Sequence, residues 1–98
     1  MPKIDVVAVI TAKSGSEPIV EGALTALASS SKKDRGCLLY DLFASESVAG
    51  TFVTIERWQS QEDIDAHMAS SHIAEFITAA GDHLDGLPAI HTLRALPS

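Results

Sequence analysis

The sequence is poor in cysteine and in positive charge, and each shortage excludes a class of protein. Its one cysteine, Cys37, cannot form a disulfide within the chain, so we expect a reducing compartment, the cytoplasm. Seven Lys and Arg residues stand against 13 Asp and Glu, for a formal net charge of −6. Phosphate recognition needs clustered cations. The one short basic run, residues 32–35, is typical of the end of a helix and its exit loop. We therefore predict no nucleic-acid partner.

Long apolar runs are also missing. The longest early run, Val6 to Ile10, falls well short of the roughly 20 residues of a membrane span. The N-terminal residues lead straight into it, and no small-residue cleavage site follows, so we expect neither a secretory leader nor a membrane partner. With 98 residues the chain predicts a single domain over residues 1–98. A core of this size is thin, and pairing with a second copy would enlarge it.

Hydrophobic periodicity predicts the order β-α-β-β-α-β. Alternating or β-branched segments indicate strands over residues 3–13, 36–45, 51–59 and 89–96. Helical spacing of apolar residues indicates a first helix over residues 17–31, with either Ser14 or Ser16 as its N-cap. Ser60, with Asp63 three residues on, starts a second helical region. Ser70-Ser71 divides that region into two runs.

This order predicts an α+β, ferredoxin-like fold, with a four-stranded antiparallel sheet and helices on one face. The first and third strands lie in the middle of such a sheet. The face without helices would expose the apolar residues of the first strand to water. Packing that face against a second copy removes this cost, so we predict a homodimer.

Four polar or aromatic residues stand out against this scaffold. Glu56 and Trp58 lie two apart on the third strand and therefore share a face of the sheet. His67 and His72 follow on the helical region after it. A carboxylate, an indole and two imidazoles so near to one another predict a pocket between the sheet and that region.

The pattern resembles the antibiotic biosynthesis monooxygenase (ABM) domain family over about residues 4 to 94. The segments that carry the resemblance are G-C-L-L-Y (36–40), F-V-T-I-E-R-W (52–58) and H-M-A-S-S-H (67–72) with Phe76, and a Lys13-Ser-Gly15 turn. The resemblance implies a dimeric α+β barrel, formed when two ferredoxin-like sheets pack face to face. It also implies a range of activities, since family members include cofactor-free oxygenases, haem-degrading enzymes, isomerases and proteins without assigned activity.

Among these activities, we favour an oxidoreductase: a cofactor-independent monooxygenase that uses O2 on an aromatic, polyphenol or quinol-type small molecule. Such a substrate supplies its own electrons once deprotonated, so the protein must provide a base and a dry apolar pocket. His67, His72 and Glu56 are the candidate catalytic residues. The candidate substrate-binding residues are aromatic: Trp58, which can stack on a flat ring and donate a hydrogen bond, with Tyr40 and Phe76.

Each of these residues also has a structural interpretation. Glu56 is equally explained as a hydrogen-bonded buried carboxylate, Trp58 as core, and His67 as a core histidine. A protein that binds a ligand without turnover is therefore an alternative, and an isomerase using the same acid–base groups is another. For the isomerase, the cations available to hold a phosphate are few: Lys3, Arg57 and Arg94.

We predict no metal and no cofactor. Glu56, His67 and His72 are of suitable ligand types, but histidines five apart do not share a face of one continuous helix. The helix break at Ser70-Ser71 would be needed to bring them together. Haem degradation is disfavoured. The haem-degrading relatives place a histidine about where Ile77 stands and an asparagine near Val7, and this sequence has neither.

Overall fold

The computed structural model describes residues 2–98. Four strands, β1 (Ile4–Thr11), β2 (Cys37–Ala44), β3 (Thr51–Trp58) and β4 (Ala89–Leu93), form one sheet. Three helices, α1 (Glu17–Ser31), α2 (Gln61–Met68) and α3 (Ser71–Ala80), and a 3-10 turn (Gly81–His83) complete the chain. The predicted order of elements is confirmed, although β4 ends three residues earlier than the sequence indicated.

The sheet has the strand order β2-β3-β1-β4, and all neighbouring strands are antiparallel. β1 and β3 are therefore central, as the ferredoxin-like topology predicts. Val6 pairs with Glu56 in the β1–β3 register, and Tyr40 pairs with Glu56 in the β2–β3 register. Because paired residues point to the same side, Glu56 lies between Val6 and Tyr40 on the helix-covered face.

The core fills the space between this face and the helices. One cluster joins β1 and β3 to α1 and α3 and includes Ile10, Leu24, Phe52 and Phe76. A second cluster contains Val6, Ala28, Tyr40 and Trp58. The side chain of Trp58 is fully buried. The two clusters hold the start of β2 and the end of β3 under the carboxyl-terminal half of α1.

The opposite face carries no helix. Several of its apolar side chains are exposed, among them Phe43 (49%) and Ile55 (45%). Residues at the start of β2 depart from simple alternation, because a register shift falls between Cys37 and Leu39. Cys37 therefore packs against the Trp58 cluster rather than on the open face with Leu39. Regular alternation would put Cys37 and Leu39 on the same face, because they are two residues apart.

Serine side chains begin the two later helices. Ser60 Oγ accepts a hydrogen bond from the Asp63 amide, as its spacing predicted. Ser70 Oγ accepts one from the Ile73 amide and starts α3, so the chain turns between α2 and α3. At α1 the N-cap position belongs to Ser16, but no side-chain bond closes it. None of the helices among residues 2–98 is long and apolar enough to cross a membrane.

Candidate active site

Glu56 is a buried carboxylate whose two oxygens both accept hydrogen bonds from its own strand. Thr54 Oγ1 donates to Oε2 at 2.7 Å, and Trp58 Nε1 donates to Oε1 at 2.9 Å. The three side chains point to the same face because they are two residues apart on β3. The sequence indicated Glu56 as a candidate catalytic residue, and equally as a hydrogen-bonded buried carboxylate. Here it stabilises the position of the Trp58 indole.

Aromatic rings cover the Glu56–Trp58 pair. The His67 ring lies with its centre 4.7 Å from that of Trp58, and Tyr40 meets Trp58 edge-on at 6.5 Å. Burial, and secondarily the negative charge of Glu56, raise the pKa of Tyr40 well above its ordinary value of 10.0. Its phenol is therefore a neutral member of the core at physiological pH.

Asp34 joins the two histidines. Its Oδ2 atom lies 2.9 Å from His67 Nδ1 and 2.8 Å from His72 Nε2. His67 is buried, whereas the side chains of Asp34 and His72 keep 20% and 17% of their surface exposed. An ionised carboxylate can only accept, so both imidazoles donate to it. Each neutral ring then keeps a lone pair on its other nitrogen, Nε2 of His67 and Nδ1 of His72.

The α1–β2 loop puts Asp34 in this position. Its amide donates to the carbonyl of Ser31 at the end of α1, and its carbonyl accepts from the amide of Cys37 at the start of β2. These two bonds fix the turn from both sides. The carboxylate consequently faces the junction of α2 and α3, where the chain turns at Ser70.

The neighbouring residues of the loop are fixed on α2. Arg35 donates to Asp63 at 3.1 Å, and Ser60 Oγ donates to the same carboxylate at 2.9 Å. Gly36 has φ of +78°, and a Cβ there would collide with the Asp63 side chain. The glycine of the G-C-x-x-Y segment thus permits both the left-handed turn and the close approach of α2.

His72 also lines a groove between α1 and α3. The groove has a volume of about 140 Å³, and its walls are mainly apolar: Ala23, Ala26, Leu27, Phe76 and Ala79, with Ser30 and Glu75. It is partly open to solvent, since Ala26, Glu75 and Ala79 are exposed. A cavity of about 150 Å³ accommodates one benzene-sized ring. The imidazole of His72 therefore stands between the Asp34 carboxylate and an apolar recess of the right size for a single aromatic ring.

The sequence pattern of the family described as antibiotic biosynthesis monooxygenase matches residues 4–79. The chain belongs to this ABM family. The match covers both groups of polar residues, the Glu56–Trp58 pair and the Asp34–His67–His72 cluster, and it ends before β4. No curated protein matches the chain.

Solved structures agree with this membership. PA3566 from Pseudomonas aeruginosa shares 28% identity, with a TM-score of 0.91, over 99% of this chain and 97% of its own. Rv0793 from Mycobacterium tuberculosis shares 25%, with a TM-score of 0.88, over 99% and 98%. A crystal structure of an antibiotic biosynthesis monooxygenase shares 26%, with a TM-score of 0.88, over 96% and 99%.

The structure divides the residues that the sequence singled out into two groups. Glu56, Trp58 and Tyr40 form a packed layer, whereas His72 and Phe76 line the groove, and His67 touches both groups. Trp58 has no exposed surface, so its ring cannot stack on a ligand in this conformation. The assignment of all six residues to one substrate pocket stays a prediction.

Asp34 is the residue of this candidate site that sequence reasoning missed. It stands in a run with lysines and an arginine, and the local pattern indicated only the end of a helix. The topology did carry a signal, because the α1–β2 loop and the α2–α3 junction lie at the same end of a ferredoxin-like domain. Glu56 is not part of the ligand-type cluster; Asp34 takes the place beside the histidines.

Proposed function

We propose that this ABM-family chain is a cofactor-independent monooxygenase that acts on an electron-rich aromatic small molecule, such as a polyphenol or a quinol. The observation that carries the proposal is the Asp34–His72 hydrogen bond beside the apolar groove. A carboxylate that fixes one nitrogen of an imidazole leaves the other as an oriented proton acceptor. Family membership supports a monooxygenase-like or small-molecule-binding role, and the substrate class is our proposal.

In this proposal His72 Nδ1 removes the phenolic proton of a ring held in the groove. The positive charge that forms on the imidazole is stabilised by the Asp34 carboxylate. Phe76, which is buried, supplies an apolar wall on which the ring can pack. His67, bound to the same carboxylate oxygen, fixes the orientation of Asp34 and is a positioning residue.

The reaction balances without an external reductant. The phenolate gives electrons to O2, one oxygen atom is inserted into a ring C–H bond, and the other leaves as water. For a hydroquinone the products are a hydroxyquinone and one water molecule, so both electrons taken up by the departing oxygen come from the substrate. The enzyme contributes proton removal, by His72 with Asp34, and an apolar surface for the ring, by Phe76.

We also infer that the chain works as a homodimer in which the open sheet faces pack together. The support is the exposed apolar surface of that face, which includes Leu39, Phe43, Ile55 and Leu93. A second copy of the same face covers this surface with a matching one. The dimer would also cover the exposed β4 residues that share this face, Ala89, His91 and Leu93.

A non-catalytic, ligand-binding role is the alternative that one observation favours. Glu56 is satisfied by Thr54 and Trp58, and the aromatic layer around it is filled by side chains. The burial and hydrogen bonds of Glu56 and Trp58 are fully explained by a role in stabilising the fold. The alternative predicts that an aromatic ligand binds without oxygen consumption.

Oxygen uptake tests the proposal. The metal-free protein is mixed with a panel of hydroquinones and polyphenols, and the His72→Gln variant is compared with the wild type. We expect uptake above the spontaneous rate and a loss of about 10²–10⁴-fold in kcat/KM for the variant. His83→Gln is the matched control, since His83 bonds to Ser16 at the other end of β1.

The possible outcomes distinguish the oxygenase from the ligand-binding alternative and test whether His72 is the base. No uptake by the wild type above the spontaneous rate refutes the oxygenase, and ring binding without uptake favours the ligand-binding alternative. Uptake that His72→Gln retains refutes the assignment of the base. Circular dichroism of both variants checks that they are folded.

A further inference from the structure

We propose that Asp34, His67 and His72 form a binding site for a divalent first-row transition metal ion. The three donor atoms, Asp34 Oδ2, His67 Nδ1 and His72 Nε2, all lie within 4.8 Å of one another. Two imidazoles and one carboxylate are the ligand set of many zinc and non-haem iron sites. The proposal concerns metal binding and does not depend on the oxygenase activity.

Two of the three donor separations require only small adjustments. In a tetrahedral site with bonds of about 2.0–2.1 Å, the donor atoms stand about 3.3 Å apart. Asp34 Oδ2 lies 2.9 Å from one histidine nitrogen and 2.8 Å from the other, slightly closer than this. The two histidine nitrogens lie within 4.8 Å of one another. The rings therefore have to approach one another by up to about 1.5 Å to complete the shell. An ion takes the place of the two N–H hydrogens that now point at the carboxylate. Each neutral ring then carries its single hydrogen on its other nitrogen, so no net charge is lost from the ligands.

The position of the three residues in the fold favours a preformed site. His67 lies in the last turn of α2 and His72 in the first turn of α3, and the turn at Ser70 brings their ring centres to 5.7 Å. The backbone turn after α1 fixes Asp34. The nearest guanidinium, that of Arg35, is bonded to Asp63, and so it is not bonded to the Asp34 carboxylate.

The site is also accessible. Asp34 and His72 are partly exposed, so an ion can enter and a water molecule can occupy the remaining coordination position. Only one residue of the set offers oxygen, which disfavours Mg2+ and Ca2+, because both prefer shells of oxygen ligands. Zn2+ and Co2+ are therefore the appropriate probes, and Mg2+ is the negative control.

One consequence couples this site to the proposed oxygenase. A metal on His72 Nε2 puts the ring hydrogen on Nδ1, which is the atom proposed to accept the substrate proton. Metal binding would then inhibit turnover. This consequence, unlike the binding itself, rests on the proposed function.

Isothermal titration of the chelator-treated protein with Zn2+ tests the binding. We expect one Zn2+ ion to bind per chain, and we expect no heat of binding for Mg2+. Loss of an outer-shell partner alone typically costs about 10–100-fold in affinity, so Asp34→Asn and His72→Gln should each lose at least that much. His83→Gln and His91→Gln are matched controls, and both should keep wild-type affinity.

Nitrogen NMR of the wild type provides a test without substitution, in case Asp34→Asn does not fold. On addition of Zn2+, the largest changes are expected at His67 Nδ1 and His72 Nε2. Absence of Zn2+ binding, binding that survives both site variants, or changes confined to His83 and His91 would each overturn the proposal. Zn2+ binding, together with no oxygen uptake by the metal-free protein, would leave the metal site standing and the oxygenase refuted.

Discussion

Trp58 donates its indole N–H to Glu56 across one face of β3, at 2.9 Å, and both side chains are buried. The bond resolves two problems at once, because a buried indole needs an acceptor and a buried carboxylate needs donors. Thr54 supplies the second donor. The tryptophan of the F-x-x-x-E-x-W segment is therefore a structural residue in this conformation, and its substitution has a defined cost.

Trp58→Ala should lower the free energy of unfolding by about 3–5 kcal/mol, because it removes a fully buried aromatic side chain. Trp58→Phe keeps an aromatic ring, although a smaller one, but leaves Glu56 Oε1 without its donor, and should cost about 1–3 kcal/mol. Urea unfolding followed by circular dichroism measures both. A loss below about 1 kcal/mol for the alanine variant, together with lost turnover, would contradict the core assignment.

Gly36→Ala should destabilise the protein by more than about 1 kcal/mol. The residue has φ of +78°, and the new methyl group would displace the Asp63 side chain from its place on Ser60 and Arg35. Gly22→Ala is the matched control, since a Cβ there meets open space within α1. That variant should gain up to about 1 kcal/mol in helix propensity. Equal melting temperatures for the two variants would contradict this account.

Alkaline pH should destabilise the protein through Tyr40. Its pKa is raised in the folded state, mainly by burial and then by Glu56, while the unfolded chain ionises near 10.0. The folded state thus holds the phenolic proton more tightly than the unfolded chain. The stability that this difference contributes is complete below pH 10. It is lost as the pH rises from 10 through the higher pKa of the folded state. The slope should reach about 1.4 kcal/mol per pH unit.

The measurement for Tyr40 is direct, because the chain has a single tyrosine. Phenolate absorbance should appear only at a pH well above 10, or on unfolding. Tyr40→Phe should remove part of the alkaline loss of stability that the wild type shows in urea titrations. Phenolate that forms near pH 10 in the folded protein would refute the prediction.

Ile55→Glu should convert the proposed dimer to a monomer. Ile55 lies on the open face of β3, where a buried charge without a partner would oppose packing against a second copy. Ile77→Glu makes the same substitution at an exposed position of α3 and should leave the dimer intact. Light scattering after gel filtration gives the molar mass. A monomeric wild type would refute the dimer.

The sequence by itself determined the order of elements and the face of β3 that carries Phe52, Thr54, Glu56 and Trp58. The reason is local, since side chains two apart on a strand must point to the same side. It also located the start of α2, because Ser60 and Asp63 stand at the spacing of an N-cap. These features need only backbone geometry and hydrophobic periodicity.

Only the tertiary structure decided which polar groups meet. Asp34 is 33 residues from His67 and 38 from His72 along the chain, and its neighbours in sequence are mostly cationic. No local period connects them. Packing of α1 on the sheet brings its exit loop to the α2–α3 junction, and the turn at Ser70 aligns two histidines that a continuous helix would have separated. Such a contact depends on how helices and strands pack against one another. The residue pattern within a single segment carries no information about that packing.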